Sequence, residues 1–137
     1  MNIVIVIPTK NEVDNLKKLN YLIKRSLKNV NYKLCFVDGS DTLSTIETIK
    51  KIFKKKAHII KEKKVNKISS RCHASWLGFQ WAIKKKNCDI IVDMDSDLAH
   101  DPKEILLAIK KFKSGKYDLL ISSKYLKNSR VIGRNFF

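Results

Sequence analysis

Residues 2–8, Asn-Ile-Val-Ile-Val-Ile-Pro, form an almost unbroken apolar, β-branched run. A strand exposed on one face would alternate, so this run predicts a strand buried on both faces. The period then changes. From 11 to 28 the apolar residues fall at 13, 16, 19, 22, 23 and 27, the spacing of one helix face. Residues 32–40 predict a strand and a turn. Residues 42–55 predict a helix, with apolar positions at 43, 46, 49, 52 and 53, and 57–61 predict a short strand. A third helix is expected over 70–86, with Trp76, Phe79 and Ile83 on one stripe, followed by a strand over 88–94. The segment 101–115 predicts a helix opened by Asp101 as N-cap with Pro102 at its first position, and closed at Gly115. Residues 117–125 predict a fifth strand, and the residues after it have no clear period.

Strands alternating with helices of this length predict an α/β fold, with a Rossmann-like, mostly parallel sheet flanked by helices on both faces. No repeat, low-complexity tract or linker interrupts the alternation, so residues 1–137 are expected to form a single domain.

Composition changes this picture in three ways. No apolar run approaches the ~18–20 residues that a membrane span needs, and the apolar start is too short for a signal peptide, so a cytoplasmic location is expected. Cys35, Cys72 and Cys88 are widely spaced, with no C-x-x-C pair, which reads as reduced thiols rather than a disulfide frame or zinc site. The chain carries 29 Lys+Arg against 13 Asp+Glu, a net charge of +16. Only Arg25, Arg71, Arg130 and Arg134 are arginines, whereas bidentate phosphate and base-reading sites favour that residue. The lysine excess fits either a solvated surface or attraction to an anionic one, such as lipid headgroups. Both readings stand at this stage.

Against that background, Asp89, Asp93, Asp95, Asp97 and Asp101 are crowded into residues 89–102. Parallel sheets bind ligands beyond the carboxyl ends of their strands. Here those ends are Pro-Thr-Lys-Asn-Glu (8–12), Asp-Gly-Ser-Asp (38–41), Asp-Met-Asp-Ser-Asp (93–97) and Ser-Ser-Lys-Tyr (122–125). Neither G-x-G-x-x-G nor G-x-x-x-x-G-K-[ST] is present, and only four glycines exist in the chain. A nucleotide bound here would need its phosphates neutralised by other means. A divalent metal held by carboxylates performs that task, taking oxygen ligands from Asp and phosphate together. Asp95 and Asp97, separated by one residue, can face one side of an extended segment, with Asp93 at the same parity. Asp101 is the residue that caps the following helix.

The stretches IVIPTKNEVDNL, FVDGSDT, IIVDMDSDLAHDP and YDLLISSKY, in this order, resemble the nucleotide-sugar half of family 2 glycosyltransferases, in particular the dolichyl-phosphate mannose synthases and related polyprenyl-phosphate sugar transferases. P-T-x-N-E combined with D-x-D-L-x-H-x-P is specific. The likeness implies a glycosyltransferase A fold and a UDP- or GDP-linked sugar as ligand. By position it implies that Pro8, Thr9, Asn11 and Glu12 line the nucleoside pocket and that Asp38 contacts base or ribose. Asp95 and Asp97 would be the D-x-D that holds Mg²⁺ or Mn²⁺ against the diphosphate. Lys124, where the family has Arg, would face phosphate, and Arg134 would match a later phosphate-binding Arg. Arg71 stands where relatives have a Gly-rich helix start, within reach of the diphosphate.

The same likeness implies transfer with inversion to an acceptor, a polyprenyl phosphate or a glycan, and peripheral association with an anionic membrane. It also implies a chain that stops before the family's acceptor-binding region, where many members carry a catalytic Asp. No base is named in this chain. A phosphate acceptor is already an anion and needs none. Two other readings stand beside this one. The chain could be a nucleotide-sugar-binding fragment that works with another polypeptide, or a basic nucleic-acid-binding module. The acidic row at the ligand edge argues against the last, and no nucleic-acid partner is expected.

Overall fold

A computed structural model describes residues 1–63, 70–85, 87–123 and 125. The sequence-predicted site residues Lys124 and Arg134 lie outside the described residues. The chain divides into two compact units, Met1–Leu106 and Leu107–Phe137. The sheet and the candidate site belong to the first.

Strand β1 spans Asn2–Thr9, β2 Asn31–Asp38, β3 Ala57–Lys61 and β4 Ile90–Asp93. Helix α1 spans Val13–Ser26, α2 Ser44–Phe53, α3 Arg71–Lys84 and α4 Lys103–Lys113, with a short 3₁₀ turn at Lys54–Lys56. The four strands form one sheet in the order β3-β2-β1-β4, and every pairing is parallel. The register sets Val6 beside Cys35 and Asp93, and Asp38 beside Lys61. This is the α/β architecture that the alternation of periods predicts.

The period of two along each strand sorts the core into unequal faces. Val4, Val6, Cys35 and Val37 form one buried cluster with Ala74 and Ala82 of α3, joined at its margin by Ile60 and Ile91. The opposite parity carries Ile3, Ile5, Ile7, Leu34 and Phe36, all buried. On that side Phe53 of α2 meets Phe36 with ring centroids 4.8 Å apart, and α1 packs beside α2. Burial of Leu16, Leu19, Ile23 and Ile49 completes that layer.

Helix α3 departs from the sequence expectation. Of the stripe Trp76, Phe79 and Ile83, Phe79 packs partly buried against the core, yet Trp76 is 57% and Ile83 67% exposed. The buried positions are Ala74, Ser75, Gly78 and Ala82. Small residues at i, i+4 and i+8 let the helix axis come close to β1. A Cβ on Gly78 would overlap Val6 Cγ1 and lie 3.1 Å from Val6 Cγ2. Packing distance, rather than side-chain hydrophobicity, selects this face.

Asp101 Oδ1 accepts the Lys103 N–H at 3.0 Å, as a residue capping α4 does. The fifth strand does not form over residues 117–123, which carry no regular structure. Leu119 and Ile121 are 73% and 76% exposed. An apolar β-branched run records a preference for burial. It becomes a strand only where a neighbouring ladder accepts its backbone groups, and none does so among the described residues. No helix among those residues is long and apolar enough to cross a membrane.

The three cysteines are free thiols. Burial pushes the Cys35 thiol up to about 12, whereas Cys72 is exposed. A thiol reagent at pH 8 is therefore expected to label Cys72 rapidly and Cys35 only after denaturant is added; prompt labelling of Cys35 in the folded protein would contradict the packing described. For Gly78→Ala, the ~1 kcal/mol gained in helix propensity is opposed by overpacking of a β-branched neighbour, which costs about 1–3 kcal/mol. Urea denaturation is expected to show the variant less stable than the parent.

Candidate nucleotide-sugar site

The strand order identifies where a ligand can enter. After β1 the chain moves to β2 on one side of it, and after β3 it crosses to β4 on the other. The carboxyl ends of β1 and β4 therefore flank the point where the winding reverses, the usual crevice of an open parallel sheet. A cavity of about 310 Å³ lies there. Pro8, Thr9, Lys10 and Glu12 line it from the end of β1, and Asp95, Ser96 and Asp97 from the end of β4. Glu62, just past β3, and Ser70, Arg71 and Ala74 at the start of α3 complete the wall.

Local chemistry holds these loops in place. Asn11 adopts a left-handed conformation with φ of 58°, which Asn tolerates better than most residues. Its N–H donates to Ser40 Oγ at 2.8 Å. Glu12 accepts from Asn15 Nδ2 at 2.6 Å, one turn into α1. Ser96 is buried and its hydroxyl donates to the Pro8 carbonyl at 3.1 Å, tying the two sides of the crevice together. Beyond β4, Met94 and Ser96 are buried while Asp95 and Asp97 are not. The two carboxylates thus lie at the uncovered positions of the loop.

Four acids at the sheet edge, Asp38, Glu62, Asp93 and Asp95, each meet a basic side chain. On the α3 side, Asp93 accepts from Ser75 Oγ at 3.1 Å. Arg71 spans two carboxylates, with Nη2 3.0 Å from Asp93 Oδ2 and Nε 2.7 Å from Asp95 Oδ1. The hydrogen bond to Asp95, with the charges of Asp93 and Asp95 beside it, raises the Arg71 pKa further above its ordinary value. His100 Nδ1 accepts the Asp95 N–H at 3.1 Å. Glu62 has a fully buried side chain that meets His73 Nδ1 at 2.8 Å. On the opposite face, Asp38 is 0% exposed, with Lys61 Nζ 2.7 Å from Oδ2 and Ser40 Oγ donating to Oδ1 at 2.5 Å.

Of the sequence-predicted residues, Pro8, Thr9, Glu12, Asp95 and Asp97 meet in one cavity, while Asn11 and Asp38 do not line it. The parity of β2 explains Asp38: it shares a face with Leu34 and Phe36, away from α3. Glu62 was not singled out for the site. Its signal was present, since it is the sole acid among nine lysines in 50–67 and directly follows a strand. Arg71 was noted only for its reach, and its two carboxylate partners follow from the close packing of α3.

The donor set suits a hard cation in part. Asp95 and Asp97 offer oxygen ligands at the cavity wall, but Asp95 Oδ1 is engaged by Arg71 and Asp97 Oδ1 accepts the Ala99 N–H at 2.9 Å. Among the described residues no group of three or more His, Cys, Asp or Glu side chains could hold a metal ion. The arrangement fits a cation that takes one or two carboxylates and completes its shell from phosphate and water, the habit of Mg²⁺. It does not fit an all-protein cage.

A parallel sheet flanked by helices, with a crevice at the winding reversal walled by the loops after β1 and β4, defines a Rossmann-like α/β domain. The chain belongs to glycosyl transferase family 2, whose model matches residues 4–133, and its fold is of the glycosyltransferase A type. It is 33% identical over 138 residues to a dolichol-phosphate mannosyltransferase of Pyrococcus furiosus. That similarity takes in 100% of this chain, which spans 37% of the relative's length.

Because Asp38 is buried, removing its cation leaves a carboxylate with Ser40 alone for compensation. Lys61→Met is expected to destabilise the protein by about 1–3 kcal/mol in urea denaturation. Adding Asp38→Asn should recover most of the loss, and failure to do so would mean that Lys61 acts through something other than this pair.

Proposed function

We propose that this chain binds the nucleotide part of a nucleoside-diphosphate sugar and serves the transfer of that sugar to an acceptor, with a polyprenyl phosphate as the favoured acceptor class. The observation that carries the reading is the convergence of Pro8, Thr9 and Glu12 with Asp95 and Asp97 on one cavity at the winding reversal. Family membership and the likeness to a dolichol-phosphate mannosyltransferase support it. The cavity volume lies at the small end of the range for ligand sites, ~300–1,000 Å³.

Within this reading, Pro8, Thr9 and Glu12 border the nucleoside. Ser70 caps α3 at the cavity wall, and the positive end of a helix favours an anion. Asp95 and Asp97 would hold Mg²⁺ or Mn²⁺. When bound, that ion supplies charge to neutralise the diphosphate as it leaves. Arg71 offers a planar fork suited to phosphate oxygens. Asn11, Asp38, Lys124 and Arg134 remain assigned to donor binding through the family likeness. For Asp38 that role requires Lys61 and Ser40 to give up contacts.

The proposed reaction is a single displacement with inversion. An acceptor phosphate oxygen forms a bond to the anomeric carbon while the bond from that carbon to the diphosphate oxygen breaks. The electron pair leaves with the nucleoside diphosphate, and no proton has to be removed from an ionised phosphate. The protein's part is orientation and charge stabilisation. A polyprenyl acceptor implies work at the cytoplasmic face of a membrane, and the lysine-rich surface is compatible with anionic headgroups. Because the chain spans 37% of the relative, donor binding is the activity to test on it directly.

Calorimetric titration with UDP, GDP and their sugars, with and without Mn²⁺, tests the reading. One nucleotide is expected to bind in a Mn²⁺-dependent manner. Combining Asp95→Asn with Asp97→Asn should weaken that binding by ~10–100-fold, the size of losing one charged contact, with urea denaturation little changed. Equal binding by the double variant would overturn the metal assignment. Binding of oligonucleotides with steep salt dependence, indifferent to these changes, would favour the nucleic-acid reading instead.

A further inference from the structure

Arg71 is the cation nearest the acids that the proposed function assigns to the metal and diphosphate. It stands on the first turn of α3 and lines the cavity with its side chain 49% exposed. Its Nε takes Asp95 Oδ1 at 2.7 Å and its Nη2 takes Asp93 Oδ2 at 3.0 Å. Asp93 has a second donor in Ser75, whereas His100 Nδ1 takes the Asp95 backbone N–H and gives its carboxylate no hydrogen bond. Arg71 thus reaches both acids from the first turn of α3, and its half-exposed guanidinium borders the cavity.

The guanidinium bonded to Asp95 Oδ1 leaves Oδ2 for a divalent cation, but it sets a like charge beside that ion and has already neutralised the carboxylate that would attract it. Arg71 cannot yield by losing a proton, because a guanidinium stays charged at any working pH. It either leaves the carboxylate or repels the incoming ion. Its fork fits a phosphate as well as it fits two carboxylates, so a diphosphate arriving with the metal gives Arg71 a second place to pair. We infer that Arg71 and the donor's divalent cation are alternative counter-ions of Asp95, so that Arg71 holds off free metal and makes metal binding depend on the diphosphate. This rests on the proposed metal and donor site. Its consequence is a coupling that must be reciprocal: the nucleotide strengthens metal binding by the same factor by which the metal strengthens nucleotide binding.

The test is Mn²⁺ titration followed by electron paramagnetic resonance, with Mn²⁺ alone and with the nucleoside diphosphate that the parent binds. The parent is expected to bind Mn²⁺ at least ~10-fold more tightly with nucleotide than without. Arg71→Gln should bind Mn²⁺ alone at least ~5-fold more tightly than the parent and show a smaller nucleotide effect. Arg71→Lys keeps the charge and should hold off free Mn²⁺ as the parent does. It separates charge competition from disturbance of the helix start, and serves alone if the Gln variant does not fold: tight Mn²⁺ binding by the Lys variant without nucleotide would then overturn the inference. If Arg71→Gln binds Mn²⁺ alone no more tightly than the parent, Arg71 is a structural partner of the two acids and the inference fails by itself. Absence of Mn²⁺ binding to the parent even with nucleotide overturns the metal reading, and this inference with it.

Discussion

Val6 and Gly78 approach so closely that position 78 of helix α3 has no room for a side chain. That approach determines how the site is built. It brings the start of α3 down onto the carboxyl ends of the strands, so Ser70 and Arg71 border the cavity and Ser75 reaches Asp93. A larger residue at position 78 would lift the helix and lengthen every one of these contacts. The small stripe Ala74, Gly78 and Ala82 therefore positions the charged groups as well as filling the core. Large side chains on the other sheet face, Phe36 and Phe53 among them, set no comparable constraint on the site.

Once α3 is seated, the acidic edge has to be neutralised. The solution is distributed. Asp38 is held by Lys61 on one face. Glu62 meets His73 on the other, and Asp93 and Asp95 share Arg71. In each case the basic residue comes from an adjacent element, the neighbouring strand for Asp38 and helix α3 for Glu62, Asp93 and Asp95. Where lysine would give a point charge, Arg71 spans two carboxylates with one planar group, which explains an arginine in a chain that otherwise relies on lysine. The overall charge of +16 does not enter this accounting directly, since exposed lysines are screened by salt over about 10 Å.

The legible part of the fold was the part written in large residues. The unbroken apolar run of β1, the helical spacing of α1 and α2, and the Asp101 cap all express burial or hydrogen-bond demand locally. The packing face of α3 was not legible, because Ala, Ser and Gly carry little hydrophobic signal and the conspicuous Trp76 and Ile83 face outward. The apolar run at 119–121 states a preference that needs a pairing partner to become a strand. At the site, sequence position placed the loops at the correct strand ends. It did not say which face each side chain takes: one residue of parity separates Asp38, buried on the α2 side, from Glu62, which lines the cavity.

The same parity argument bears on the role of the acids. Asp93, Asp95 and Glu62 lie on the α3 side of the sheet, beneath a helix end with partial positive charge. Among the described residues the cavity wall sets four carboxylates, Glu12, Glu62, Asp95 and Asp97, against Lys10 and Arg71, a balance poorly suited to a bare polyanion. It suits an anion that brings its own cation. That charge pattern agrees with the metal–diphosphate ligand of the proposed function, and the residues that make it owe their placement to β-strand alternation and one glycine. Arg71 sits where these two requirements meet. It stabilises the acids by pairing with them, and for that reason it stands in the way of any cation that comes without phosphate.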